Sequence, residues 1–180
     1  YRMFDELIHG SNKNLRCNLL IDYPFVQELA EKDMKTGYGD DLLRIGAVKL
    51  FADGALGQRT ALLSEPYHDD RKRIGEAIHD QETLYRIVKD IRNHSMPVAV
   101  HTIGDQALKN VLDVLDHFPK AAHRDRIIHA SLISKDLISR LADPSIIVDI
   151  QPKSAPSEHP WVLDRIGEQR SALLYPSKTH

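Results

Sequence analysis

Short apolar runs along the chain alternate with stretches in which apolar side chains recur three and four residues apart. Leu15-Arg16-Cys17-Asn18-Leu19-Leu20-Ile21 is broken by Asp22-Tyr23-Pro24, which predicts a strand and then a turn. Pro24 opens a helix whose Phe25, Val26, Leu29 and Ala30 share a face to about Lys35, with Gly37 and Gly39 ending it. A second strand runs from Ile45 to Phe51. Asp80 is the expected N-cap of a helix with Leu84, Ile87, Val88 and Ile91 on one face, stopping near His94. The third strand is Met96 to Thr102, with Pro97 tolerated near its start. Gly104 and Asp105, read as a turn with an acidic cap, lead into a helix bearing Leu108, Val111, Leu112 and Leu115. Arg126-Ile127-Ile128-His129 is the fourth strand, Ser134 caps a helix through Leu137, Ile138 and Leu141, and Ile146 to Gln151 is the fifth strand. Loop and helix follow, anchored by Trp161, Leu163 and Ile166.

Strands that alternate with amphipathic helices call for right-handed crossovers and a parallel sheet, an α/β architecture. Five such units form either a complete doubly wound sheet or five consecutive units of a (β/α)8 barrel truncated at both ends. Periodicity leaves both open. The 180 residues fall short of the roughly 250 that a closed barrel usually needs. No linker divides the chain, so residues 1–180 read as a single domain. The irregular stretch from Ala52 to about His79 is long enough to be read as a functional loop.

Composition narrows the function classes. With 24 Lys and Arg against 26 Asp and Glu, the formal charge is −2, and no field favours nucleic acid or an anionic membrane. No apolar run approaches the ~18 residues of a membrane span. The single cysteine, Cys17, excludes an intrachain disulfide and fits a reducing, cytoplasmic setting. The opening at Tyr1, without a signal-peptide layout, and the close at Tyr175 to His180 read as cut ends.

Lys49, His101 and His129 stand late in three successive predicted strands, where parallel folds gather their active-site side chains. Either histidine alone reads better as a buried structural residue; in matching places on adjacent strands the pair reads as a metal site. The other eight histidines fall on helices, loops or ends, where solvated side chains are the default. A lysine in an apolar strand is usually an ion-pair partner or a surface residue. Desolvated beside imidazoles, it can instead lose its proton and take up carbon dioxide as a carbamate, an anion able to bridge two cations. Asp53, just beyond a strand end, and Arg59, able to hold an anionic substrate group, are candidate substrate contacts. Asp53 reads equally well as a turn cap.

Three segments carry a resemblance: Val48-Lys49-Leu50-Phe51-Ala52-Asp53-Gly54-Ala55-Leu56-Gly57, His101-Thr102-Ile103-Gly104-Asp105-Gln106-Ala107 and Arg126-Ile127-Ile128-His129-Ala130. With Gln151-Pro152, Ser157, Trp161, Arg165, Gly167 and Arg170, they resemble amidohydrolase family 3, the YtcJ-like branch of the metal-dependent amidohydrolase superfamily. The likeness runs over nearly the whole chain, roughly barrel strands three to seven.

The resemblance implies a (β/α)8 barrel with one or two divalent cations, usually zinc, that hydrolyses amide or related carbon-nitrogen bonds of small molecules. It makes Lys49, which is carboxylated in this reading, His101 and His129 the metal ligands, and Gln151 a substrate contact beside Asp53 and Arg59. The chain departs from the family pattern in several places. It has no His-x-His pair, and the catalytic Asp expected after the eighth strand would lie beyond His180. Ile128 stands where Glu is common, and Ser154 and Glu158 where His and Asp are common. The leading expectation is therefore an incomplete amidohydrolase, with a homodimer through exposed sheet edges. The alternatives are a catalytically inactive structural or binding remnant, and an enzyme of another class that uses Asp53 and Arg59 on a phosphorylated substrate. Against the last stands the absence of a phosphate-loop motif.

Overall fold

The computed structural model describes residues 1–10 and 15–174; the sequence reading of Tyr175 to His180 lies outside them. In chain order the elements are α1 (Arg2–His9), β1 (Cys17–Asp22), α2 (Val26–Glu31), β2 (Leu43–Phe51), α3 (Gln81–Asn93) and β3 (Val98–Thr102). They continue with α4 (Asp105–Leu115), β4 (Asp125–His129), α5 (Lys135–Leu141), β5 (Ile146–Asp149), α6 (Ser154–Ile166) and α7 (Glu168–Ser171). The strands form one sheet in the order β1-β2-β3-β4-β5, with every neighbouring pair parallel.

That order decides between the two architectures left open above. A doubly wound sheet reverses its strand order at a switch point and carries helices on both faces, whereas a barrel adds each new strand beside the last. Here strand order follows chain order, and one apolar core lies between the sheet and its helices. Val26 and Leu29 of α2, Leu84, Val88 and Ile91 of α3, Leu108 and Leu112 of α4 and Leu137 of α5 pack on Val48, Leu50, Val98, Val100 and Ile127. The opposite face is nearly bare of apolar packing, with only Ala47, Ala99 and Ile128 clustered on it. The fold is an arc of a (β/α)8 barrel whose inner face lies open.

Several local expectations are corrected. Helix α1 was not foreseen; its Ile8 is buried while Met3 and Leu7 face solvent. Helix α2 stops at Glu31, well before Gly37, because Asp33 adopts a left-handed φ of 51° and the Met34 amide donates to the Leu29 carbonyl at 2.8 Å. That closure usually falls to glycine. Asp105 is no cap: extended Gly104 holds the N-cap position of α4, and the Asp105 carboxylate instead accepts from the amide (3.0 Å) and hydroxyl of Ser64. Ser134 occupies its N-cap position without a capping bond, whereas Asp80 accepts from the Thr83 amide at 2.7 Å as expected. Strand β5 ends at Asp149, short of Gln151.

The stretch between β2 and α3 is folded on itself. Leu56, Ala61, Leu63 and Tyr67 pack with Leu132 and with Val162 and Ile166 of α6 in a second small core. Among the described residues no helix is long and apolar enough to cross a membrane.

Candidate functional site

Two backbone irregularities bring the site together. In β2, Leu43, Ile45 and Val48 are all buried, and Ile45 and Val48 both join the helix-side core. Strict alternation allows this only if one extra residue intervenes. The pairing with β1 shows it: Leu19 lies opposite Ile45 but Ile21 opposite Val48. This bulge at Gly46-Ala47 turns Ala47, and then Lys49 and Phe51, to the open face. Without it, Lys49 would point into the helix-side core.

The second irregularity is at the end of β4. Ile127 belongs to the helix-side core, so alternation would turn His129 the same way. Instead His129 has φ 73° and Ala130 φ 45°, conformations rare and costly for residues with a Cβ. The His129 ring lies edge-on to that of His101, with centroids 4.6 Å apart. His101 faces Phe51 at 5.3 Å, and the Lys49 ammonium sits 3.5 Å over the Phe51 ring. Lys49, His101 and His129 thus converge at the carboxyl ends of β2, β3 and β4.

Their electrostatics follow from burial that nearby charge offsets only in part. Burial pushes Lys49 down to about 8, with Asp22 pulling weakly the other way. The Phe51 face and the Leu50 carbonyl, 2.7 Å from Nζ, both favour the ammonium, but desolvation outweighs them. At a pKa of about 8, about one amine in ten is neutral at pH 7. Burial, then repulsion from His101 and Lys49, pushes His129 down to about 4, although a hydrogen bond with the Gln151 side chain opposes this. Burial lowers His101 as well, the Gly54 carbonyl acting against it. Both shifts favour the neutral imidazole at pH 7.

His101 Nε2 lies 2.9 Å from the Gly54 carbonyl, which can only accept, so Nε2 carries the proton and Nδ1 keeps its lone pair. A metal-binding histidine is normally oriented in this manner, its second nitrogen donating to a carbonyl or carboxylate. Among the described residues no group of three His, Cys, Asp or Glu could hold a cation; the third group at this convergence, Lys49, is of another type. The donor set fits a divalent cation to that extent: two neutral imidazoles side by side and an amine that burial makes available for carbamate formation.

The other candidates lie at varying distances from this centre. Asp53 is buried, with one carboxylate oxygen 3.8 Å from His101 Nε2, beyond hydrogen-bond reach. Its oxygens accept the amides of Ile103 (3.0 Å), Gly104 (2.8 Å) and Leu62 (2.9 Å), and burial still raises it to about 6. Gln151 touches His129 from the exit of β5. Arg59 is paired in a fork with Asp69 at 3.0 and 2.8 Å, and Asp69 also takes Arg165 of α6.

Sequence reasoning named Arg170 and Asp105 but not their part in holding this loop. Arg170 donates to the carbonyls of Glu65 and Pro66, and Asp105 grips Ser64. Phe51, two residues beyond Lys49 on the same face, was within reach of period-two counting; Asp69 and Asp105 gave no such signal, because their partners are distant in sequence.

Comparison with known proteins bears on the family and the fold. The family model described as "Amidohydrolase family" matches residues 1–180. The chain is 40% identical over 179 residues to the putative amidohydrolase YtcJ of Bacillus subtilis, covering 99% of this chain and 33% of that protein. It is 28% identical over 172 residues to Protein LONG AFTER FAR-RED 3 of Arabidopsis thaliana, covering 92% of this chain and 30% of that one. Among solved structures, an uncharacterized metal-dependent hydrolase from Pyrococcus furiosus superposes with TM-score 0.85 at 32% identity, over 97% of this chain and 36% of that one. A counterpart from Pyrococcus horikoshii gives 0.84 at 34%, over 97% and 35%. The chain spans about a third of the length of each of these relatives. Strand order, the matched motifs and these likenesses together make the chain a member of the amidohydrolase family.

Proposed function

We propose that the chain carries part of the metal centre of a hydrolase acting on non-peptide carbon-nitrogen bonds of small amide-type molecules. The observation behind this reading is the convergence of His101, His129 and Lys49 at one end of the sheet, where burial favours the neutral form of each and where, among the described residues, no ion-pair partner lies within hydrogen-bond reach. His101 through Nδ1, His129, and Lys49 as its carbamate would hold the cation, zinc being the first choice for a nitrogen-rich set. When bound, such a cation supplies Lewis acidity, polarising a carbonyl and lowering the pKa of water to near 7.

The chain's own residues do the rest. The Gly54 carbonyl keeps the His101 proton on Nε2, and Gln151 orients the His129 ring. Burial of Lys49 favours the neutral amine that attacks carbon dioxide, against the pull of the Phe51 face and the Leu50 carbonyl; the proton lost on forming the N–C bond leaves to solvent. Asp53 and Arg59 shape the loop beside the site, and Gln151, exposed at the sheet's end, is the candidate for touching substrate. The catalytic acid-base group and the remaining donors come from outside these three strands. The cytoplasm is the proposed setting, on the single free thiol of Cys17. The exposed edges at β1 and β5 leave a homodimer as a proposal that light scattering answers.

The test is zinc content after purification, for the chain and for His101→Ala and His129→Ala. Retention by the parent chain with loss in both variants is the expected result. Equal and negligible metal in all three would remove the centre and favour the reading as a non-catalytic remnant, which the absence of a three-residue His, Cys, Asp or Glu group among the described residues already motivates.

A further inference from the structure

The carboxylate of Asp53 is buried, beside the site, and among the described residues it is hydrogen-bonded to no side chain. Its three acceptor contacts are all backbone amides: Leu62 across the loop, and Ile103 and Gly104 in the turn between β3 and α4. One side chain therefore ties three stretches of backbone together. The next residue, Gly54, points its carbonyl at His101 Nε2, 2.9 Å away.

Gly54 has little other freedom. A Cβ there would fall 2.0 Å from Thr60 Oγ1, and Thr60 closes the loop by accepting from the Ala55 amide at 3.0 Å while its own amide returns to the Ala55 carbonyl at 3.1 Å. His101 lies two residues before Ile103, so Asp53 grips both the segment that presents the carbonyl and the segment that presents the ring.

We propose that Asp53 is a positioning residue: by holding the Gly54 segment against the β3–α4 turn, it keeps the proton of His101 on Nε2 and the Nδ1 lone pair turned toward the open face. This rests on the reading of His101 as a ligand only for its consequence, since the tautomer exists whether or not a cation binds. Asparagine in its place offers one acceptor oxygen instead of two, so at least one of the three amides loses its partner and the segments separate.

The experiment uses the metal-free 180-residue chain labelled with nitrogen-15 and reads the histidine tautomers from long-range proton–nitrogen spectra. In the parent, His101 is expected to be the Nε2–H tautomer alone; an Nδ1–H tautomer or a mixture there overturns the proposal. In Asp53→Asn the two tautomers are expected to mix, and zinc affinity to fall about 10- to 100-fold, as for loss of a partner that orients a ligand. A folded Asp53→Asn protein with an unchanged His101 tautomer overturns the proposal, whatever its zinc content. Thr60→Ala, which loosens the loop without touching Asp53, is expected to leave the tautomer pure; mixing there but not in Asp53→Asn gives the role to Thr60 and overturns it. If Asp53→Asn does not fold, amide exchange in the parent decides: common protection of Leu62, Ile103 and Gly104 supports the grip, and fast exchange of all three ends it. Failure of zinc binding with the tautomer result intact removes the metal reading and leaves the positioning role standing.

Discussion

The two ends of the sheet handle charge in opposite ways. At the amino ends of β3 and β4 a buried carboxylate meets its opposite. Asp125, at the start of β4, takes Arg92 at 2.5 Å and the Val98 amide at 2.9 Å. At the carboxyl ends, Lys49, His101 and His129 crowd together with no counter-ion in hydrogen-bond reach among the described residues, and all three lose basicity. The first arrangement makes stability, and the second stores reactivity at some cost to stability. Barrels divide their two ends in the same way.

The largest expected effect tests the paired end. Asp125→Ala strands the buried Arg92 guanidinium and the Val98 amide, and should cost about 3–5 kcal/mol in urea unfolding while leaving the chemical end's groups in place. A loss below about 1 kcal/mol would erase the contrast. His101→Ala and His129→Ala should reverse the pattern: metal is lost, while stability falls by only about 1 kcal/mol, since each surrenders a few contacts and one or two hydrogen bonds.

Asp69→Asn comes next, at about 1 kcal/mol, because its two arginine pairs are partly exposed. Arg59 beside Asp69 holds its carboxyl below the usual carboxylate range, so the folded chain binds a proton there less readily than the unfolded one. The stability it contributes is full above the unfolded pKa of about 3.9 and is lost as pH falls through the lower folded value. Proteolysis within residues 52–79 should therefore quicken in acid for the parent, and Asp69→Asn should show that sensitivity already at pH 7. The smallest effects separate two helix starts at the chemical end. Asp80→Ala should cost about 1 kcal/mol for its lost cap, and Ser134→Ala less than about 0.5, since its hydroxyl caps nothing.

Much of this was readable in the residue pattern. Apolar period two and period 3.6 placed the five strands and the helices from α2 to α5, because burial on one face is a local property. The late-strand positions of Lys49, His101 and His129 followed from the same count. The pattern could not show that Lys49 and His129 reach His101 at all. Both depend on breaking the alternation, by the extra residue at Gly46-Ala47 and by left-handed backbone at His129 and Ala130. Nor could it show that Asp53 is held by Leu62 nine residues on and by Ile103 fifty residues on.

By itself, then, the order of residues determined the α/β rhythm, the motif set that places the chain in its family, and the candidates for its chemistry. Tertiary structure alone decided barrel arc over doubly wound sheet, which face each ligand candidate occupies and which proton His101 carries. The reason is that strand order, bulges and hydrogen bonds between remote segments are relations across the sheet, and a side chain's protonation answers to what surrounds it in space.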